Sequence, residues 1–255
     1  MEKDKIAILT DTNSGITEEM QKKLGVFVIP MPVIVDGRSY FEGASIIQAD
    51  FYQRLRHGAN VGTSQPSPRQ VMTAWSDLLR THETVIYIPM SGGLSGSVYS
   101  ARAIASEYRN VHVVDNRRIS VTLRQSVLEA KQLADAGESA ENIVHFLEDD
   151  TRNADIYLAV NTLELAKRSG RVTSTAATLS TVLSLKPVLR IQGDKLEAYK
   201  RARGMAAAMD VMIDALQKDR VERFPGQKVA IRALMRATKL WASCGANAFR
   251  TPFPT

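Results

Sequence analysis

Three serines and three glycines crowd into one stretch, Ser91-Gly92-Gly93-Leu94-Ser95-Gly96-Ser97. Hydroxyls and the N–H groups of a glycine turn are uncharged donors, and together they suit an anion such as a phosphate or a carboxylate. The residues ahead of it, Val85-Ile86-Tyr87-Ile88, are β-branched and aromatic and predict a buried strand. Those behind it, Val98 to Ala105, predict a helix. Strand, glycine turn and helix aim free backbone N–H groups at a ligand, and the helix macrodipole adds about half a positive charge there. A tight turn whose glycines serve packing alone is the other reading of the same residues.

A P-loop needs Lys after its last glycine, and Ser97 follows Gly96. A nucleophile elbow, G-x-S-x-G, fails because the fifth residue from Gly93 is Ser97. A second hydroxyl-rich segment is Thr63-Ser64-Gln65-Pro66-Ser67-Pro68. Ser67 and Pro68 suit the N-cap and first residue of a helix running to Arg80. Thr63 and Ser64 are not needed for that cap and are left for a ligand.

A serine hydrolase using Ser95 would need a base. The chain has 4 histidines, His57, His82, His112 and His145, and none follows residue 145, where an α/β-hydrolase would place its own. These histidines are scattered and the lone Cys244 has no partner, so no metal site and no internal disulfide are expected. The formal net charge is +6, but the basic residues are spread out and carry no nucleic-acid-binding pattern. A nucleic-acid or sugar-phosphate binder using the same loop remains a third reading. An acidic protein partner or transient contact with an anionic membrane surface would fit the charge equally well.

The elements that must position these residues follow in order. Lys5 to Thr10 predicts a first strand, with the turn residues Asp11-Thr12-Asn13-Ser14-Gly15 behind it. A helix from Thr17 to Gly25 precedes a proline-interrupted strand system, 26–35, and Asp36-Gly37 predicts a hairpin turn. Residues 48–57 read as a helix, Val111 to Asp115 as a strand, and 120–136 and 139–150 as helices. This alternation predicts an α/β domain with a largely parallel sheet over residues 1–152, its ligand at the carboxyl ends of the strands beside Asp11 and the glycine loop. From Ile156 the pattern changes to a strand, a basic glycine turn at Lys167 to Val172, a buried helix over 175–185, a hairpin around Gly193-Asp194 and a helix over 204–220. A second, α+β domain is expected over 153–255.

Asp11-Thr12-Asn13-Ser14, TSQPSP at 63–68, SGGLSGS at 91–97, Asp115 with Ser120, Leu163 through Gly170-Arg171-Val172, Lys186-Pro187-Val188-Leu189 and Lys200-Arg201-Ala202-Arg203-Gly204 occur in this order. With them the chain, to about residue 230, resembles the DegV family of bacterial fatty-acid-binding proteins, which includes acyl-carrying subunits of fatty-acid kinase. The resemblance implies a non-catalytic, two-domain α/β protein without a cofactor, holding a long-chain fatty acid between its domains for an ATP-dependent kinase partner that makes the acyl-phosphate. It implies that the carboxylate is held by Thr63, Ser64 and Ser95, with Ser91, Gly92 and Gly93 close by. Leu158, Val160, Leu163, Leu179 and Leu183 are candidates for lining the acyl chain, or for ordinary core packing. A basic surface of Arg168, Arg171, Lys200, Arg201 and Arg203 is either a docking face for the kinase or a plain solvated surface. The family pattern departs at Gly92, where a serine is usual, at Ser97, where a threonine is usual, and after residue 231, where the tail reads as truncated or frame-shifted.

Hydrophobic residues make up 44% and charged residues 24%, ordinary for a soluble domain. No window resembles a membrane span, and the charged N-terminus reads as a strand rather than a signal peptide, so a cytoplasmic location is expected.

Overall fold

In the computed structural model, which describes residues 4–178, 185–193, 195–229 and 231, neighbouring residues of the first strand bury into opposite cores. This strand, β1 (Asp4–Asp11), lies in parallel between β2 (Phe27–Ile29) and β6 (His82–Ile88), and β7 (Val111–Val113) completes the order β2-β1-β6-β7. Ile8, Ile86 and Ile88 face a cluster with Leu123 and Val127 of helix α5 (Ser120–Asp135) and Ile143 and Leu147 of α6 (Ala140–Asp149). Leu9, Val85 and Tyr87 face the other side, onto Val71, Trp75 and Leu78 of α3 (Pro68–Leu79) and Ala101 of α4 (Ser97–Ala105). Burial on both faces is what a parallel sheet requires, at about 2 kcal/mol for each large side chain removed from water.

The expected strand system over 26–35 divides at its prolines. Phe27–Ile29 joins the parallel sheet, whereas β3 (Pro32–Val35) starts a separate antiparallel sheet, ordered β4-β3-β5, with β4 (Arg38–Phe41) and β5 (Val61–Thr63). Proline lacks the N–H that a continuous ladder needs, so the chain changes sheets there. Asp36 and Gly37 turn between β3 and β4 with φ of +49° and +77°, the positive values that a two-residue hairpin turn demands. Ser67 caps α3 through a full capping box with Gln70, and Gly25 closes α1 (Glu18–Leu24) at φ +64°.

A third sheet, ordered β10-β9-β8, is antiparallel throughout: β8 (Ile156–Ala159), β9 (Leu185–Ile191) and β10 (Glu197–Arg203). Leu189 packs with Leu163 and Ala176 on one face; Val188 packs with Ala202 and with Ala208 of α9 (Gly204–Glu222) on the other. Of the helix expected over 175–185, the structure shows a short turn, Ser174–Ala177, and Leu185 already opens β9. Leu179, Leu183, Asp194, Cys244 and the rest of the unusual tail from 232 on lie outside the described residues.

The chain divides into two compact units, Met1–Ala215, which holds all three sheets, and Leu216–Thr255. In the second, Arg223 reaches one turn back to Asp219 at 3.6 Å. Among the described residues no helix is long and apolar enough to cross a membrane, and no cluster of acidic, histidine or cysteine side chains has metal-site geometry.

Candidate functional site

The carboxyl ends of β1 and β6 lie side by side, with Thr10 in register with Ile88 and its hydroxyl donating to the Ile88 carbonyl at 2.7 Å. One residue further, Asp11 is fully buried. Its Oδ2 accepts the Met90 amide at 2.9 Å, and its Oδ1 accepts the Asn13 amide at 2.9 Å and the Asn13 side-chain nitrogen at 2.8 Å. Burial pushes this carboxyl above its ordinary 3.8, with the three N–H donors acting against that rise. Burial, with the nearby Asp11 charge, likewise pushes the Tyr87 phenol well up.

Met90 leads into the serine loop, which the sequence predicts to offer its N–H groups to a ligand. The structure shows most of them engaged already. The amide of Ser91 donates to the Arg118 carbonyl at 2.9 Å, and those of Leu94 and Ser95 donate to the Ser91 carbonyl, both at 3.0 Å. Gly92 donates to Asp115 Oδ1 at 3.2 Å, Gly93 to Ser91 Oγ at 3.2 Å, and Ser97 to Ser95 Oγ at 3.2 Å. Left open among the described residues are the amides of Gly96, Val98 and Tyr99, at the N-terminus of α4. The loop's donors for an anion are therefore displaced toward its end, past Ser95.

Each site residue named from the sequence can now be placed. The Ser91 hydroxyl is buried and donates to the carbonyl of Gly193, in the turn between β9 and β10. The hydroxyls of Ser95 and Ser97 bond each other at 2.8 Å. Among the described residues no histidine is hydrogen-bonded to Ser95. A Cβ on Gly92 would stand 2.6 Å from Asp115 Oδ2, so a side chain there requires the Asp115 carboxylate to shift. Thr63 and Ser64 are exposed; Thr63 pairs with Val33 in β5, and Ser64 donates its amide to the Pro32 carbonyl at 3.2 Å and its hydroxyl to the Gln65 carbonyl at 3.2 Å.

The contact joining these two segments was not anticipated from the sequence. Gln65 donates from Nε2 to Ser100 Oγ at 2.7 Å, and its Oε1 fills the place a Cβ on Gly96 would take. Its position inside TSQPSP is the one signal in the sequence. Arg171, named from the sequence for the basic surface, makes a second such contact. Its Nε donates to the Leu94 carbonyl at 3.1 Å, so the loop is held from the side of the third sheet as well.

Apolar packing continues from the loop in that direction. Met90 and Leu94 pack in one cluster with Ile156, Leu158, Ile191 and Leu196, and Leu158 and Leu196 also border the cluster of Leu163, Ala176 and Leu189, with Val160 beside it. On β10, Lys200, Arg201 and Arg203 are exposed while Ala202 points inward; Arg168 is paired with Glu164 at 2.5 Å. Two surface clefts, of about 540 and 370 Å³, lie elsewhere, by Asp36, Arg54 and His57 and by Pro30, Arg69 and Asp77. Neutral donors beside an apolar cluster can bind an amphipathic anion.

A family model described as "Uncharacterised protein, DegV family" matches residues 5–240. A DegV domain-containing protein of Deinococcus radiodurans is 34% identical over 230 residues, 89% of this chain and 82% of its own. Among solved structures, a DegV family protein from Thermus thermophilus, titled for its fatty acid binding, is 35% identical with a TM-score of 0.77 over 84% of this chain and 77% of that one. DegV of Bacillus subtilis, titled a fatty acid binding protein, is 26% identical with a TM-score of 0.75 over 86% and 79%.

Proposed function

This chain belongs to the DegV family, and from that premise we propose that it binds a long-chain fatty acid, with the carboxylate between the Thr63-Ser64 segment and the Ser91–Ser97 loop. The observation that carries this reading is the junction at Gln65. It joins the segment that carries the exposed Thr63 hydroxyl to the open end of the serine loop, beside the apolar cluster that includes Leu94 and Leu158. The carboxylate would meet the Ser95–Ser97 hydroxyl pair and the amides of Gly96, Val98 and Tyr99. The tail would run among Leu158, Val160 and Leu163, between a domain of residues 1–152 and one beginning at 153.

The protein acts as a carrier. It presents the bound carboxylate to an ATP-dependent fatty-acid kinase, which forms the acyl-phosphate, and the exposed Lys200, Arg201 and Arg203 of β10 face that partner. Thermal unfolding with and without oleate tests the binding step. Ligand at about a hundred times its dissociation constant adds about 2.7 kcal/mol to the folded state, and the Thr63→Ala/Ser95→Ala double variant should lose that gain. Equal shifts in both proteins would place the carboxylate elsewhere.

A further inference from the structure

A serine hydroxyl has one proton to donate. That of Ser91 goes to the Gly193 carbonyl, and its oxygen accepts the Gly93 amide at 3.2 Å. Fully buried, Ser91 has no donor left for a ligand. Ser95 differs, because the pair it forms with Ser97 uses one of two hydroxyl protons and leaves the other beside the open amides of α4.

The acceptor of the Ser91 proton is closely packed in turn. Gly193 sits at φ +90°, and a Cβ on it would meet Arg117 Cβ at 2.8 Å and the Arg117 carbonyl at 3.2 Å. The next residue, Arg118, takes the Ser91 amide at 2.9 Å on its carbonyl. Ser91 is thus held at its N–H by one segment and at its O–H by another. On the same side, Arg171 joins the Leu94 carbonyl at 3.1 Å while its own carbonyl accepts the Leu196 amide at 2.8 Å, at the start of β10.

We infer that Ser91 is a positioning residue, which fixes the serine loop relative to the third sheet by its bond to Gly193 rather than by touching the ligand. The inference rests on the fatty-acid reading above. A fatty acid must reach the head-group donors near Ser95 and the apolar side chains of the third sheet at once. The Ser91–Gly193 bond sets that separation. A long chain that spans both ends depends on it, and a short chain that uses the head-group donors alone does not.

Calorimetric titration of the full chain with decanoate, laurate, myristate and palmitate tests this, with a thermal melt to verify that each variant folds. Ser91→Ala should weaken palmitate about five- to ten-fold and decanoate less than about two-fold, so affinity climbs less steeply with chain length. Ser91→Cys keeps a donor of similar size and should restore part of that climb. Ser95→Ala should weaken every member of the series by the same factor. An equal loss across the series in Ser91→Ala would make Ser91 a head-group contact and overturn the inference alone. A wild-type chain that binds none of the series would overturn the fatty-acid reading itself, and the inference with it.

Discussion

Asp11 accepts the amide proton of Met90 at 2.9 Å, across 79 residues of chain, and so ties the end of β1 to the residue from which the serine loop springs. Wholly buried, the carboxylate is stabilised by three N–H donors, yet desolvation raises its pKa above 3.8. A group whose folded pKa is raised contributes stability that is fully present below its unfolded value and is lost as pH rises through the folded one. Asp11→Asn removes the charge but keeps one acceptor. Its stability relative to wild type should therefore climb as pH rises above about 4 in urea titrations, and parallel curves would contradict the assignment. Asp11→Ala leaves buried donors unpaired and should cost about 2–4 kcal/mol.

Gln65 and Gly96 form a matched pair. Gln65→Ala deletes the bond to Ser100, and Gly96→Ala puts a methyl group where Gln65 Oε1 sits. Both should leave the melting curve within about 1 kcal/mol of wild type, as partly exposed sites do, and weaken oleate about ten-fold. Unchanged oleate affinity in both would separate the TSQPSP segment from the site.

Two glycines with nearly the same φ allow a controlled comparison. Gly193 and Gly137 have φ of +90° and +87°, but only Gly193 has a neighbour, Arg117, where a Cβ would go. Gly137→Ala should cost about 1 kcal/mol, the strain of a positive φ, and Gly193→Ala clearly more, about 3 kcal/mol. Equal chemical-denaturation midpoints would show that Arg117 yields freely.

Arg201 stands exposed on β10, outside both apolar clusters of the third sheet. Arg201→Glu should leave oleate affinity unchanged and slow association with a fatty-acid kinase several-fold, most strongly at low salt. A stopped-flow trace identical to wild type would remove β10 from the docking surface.

Much of the frame was legible locally. The cap at Ser67, the turn at Asp36-Gly37 and the alternation that makes a parallel sheet each depend on residues a few positions apart, and each stands as expected. The leucine- and threonine-rich run over 175–185 was misread at its end, because a short apolar run carries no period that separates helix from strand, and Leu185 belongs to β9. The site was half legible. Composition marked the serine loop and TSQPSP, but which donors remain open was decided by Asp115, Arg118 and Gly193, respectively 23, 27 and 102 residues from the loop residues they hold. Gln65 meets Ser100 across 35 residues. No spacing rule reaches that far.

A carboxylate held beside Thr63 and Ser95 is tested most directly by mass spectrometry of protein purified from a bacterial host, native against denatured. One fatty acid per chain in the native spectrum, released on denaturation and missing from the Thr63→Ala/Ser95→Ala variant, is the result expected. A native mass equal to that of the bare chain, unchanged after incubation with oleate, would contradict it.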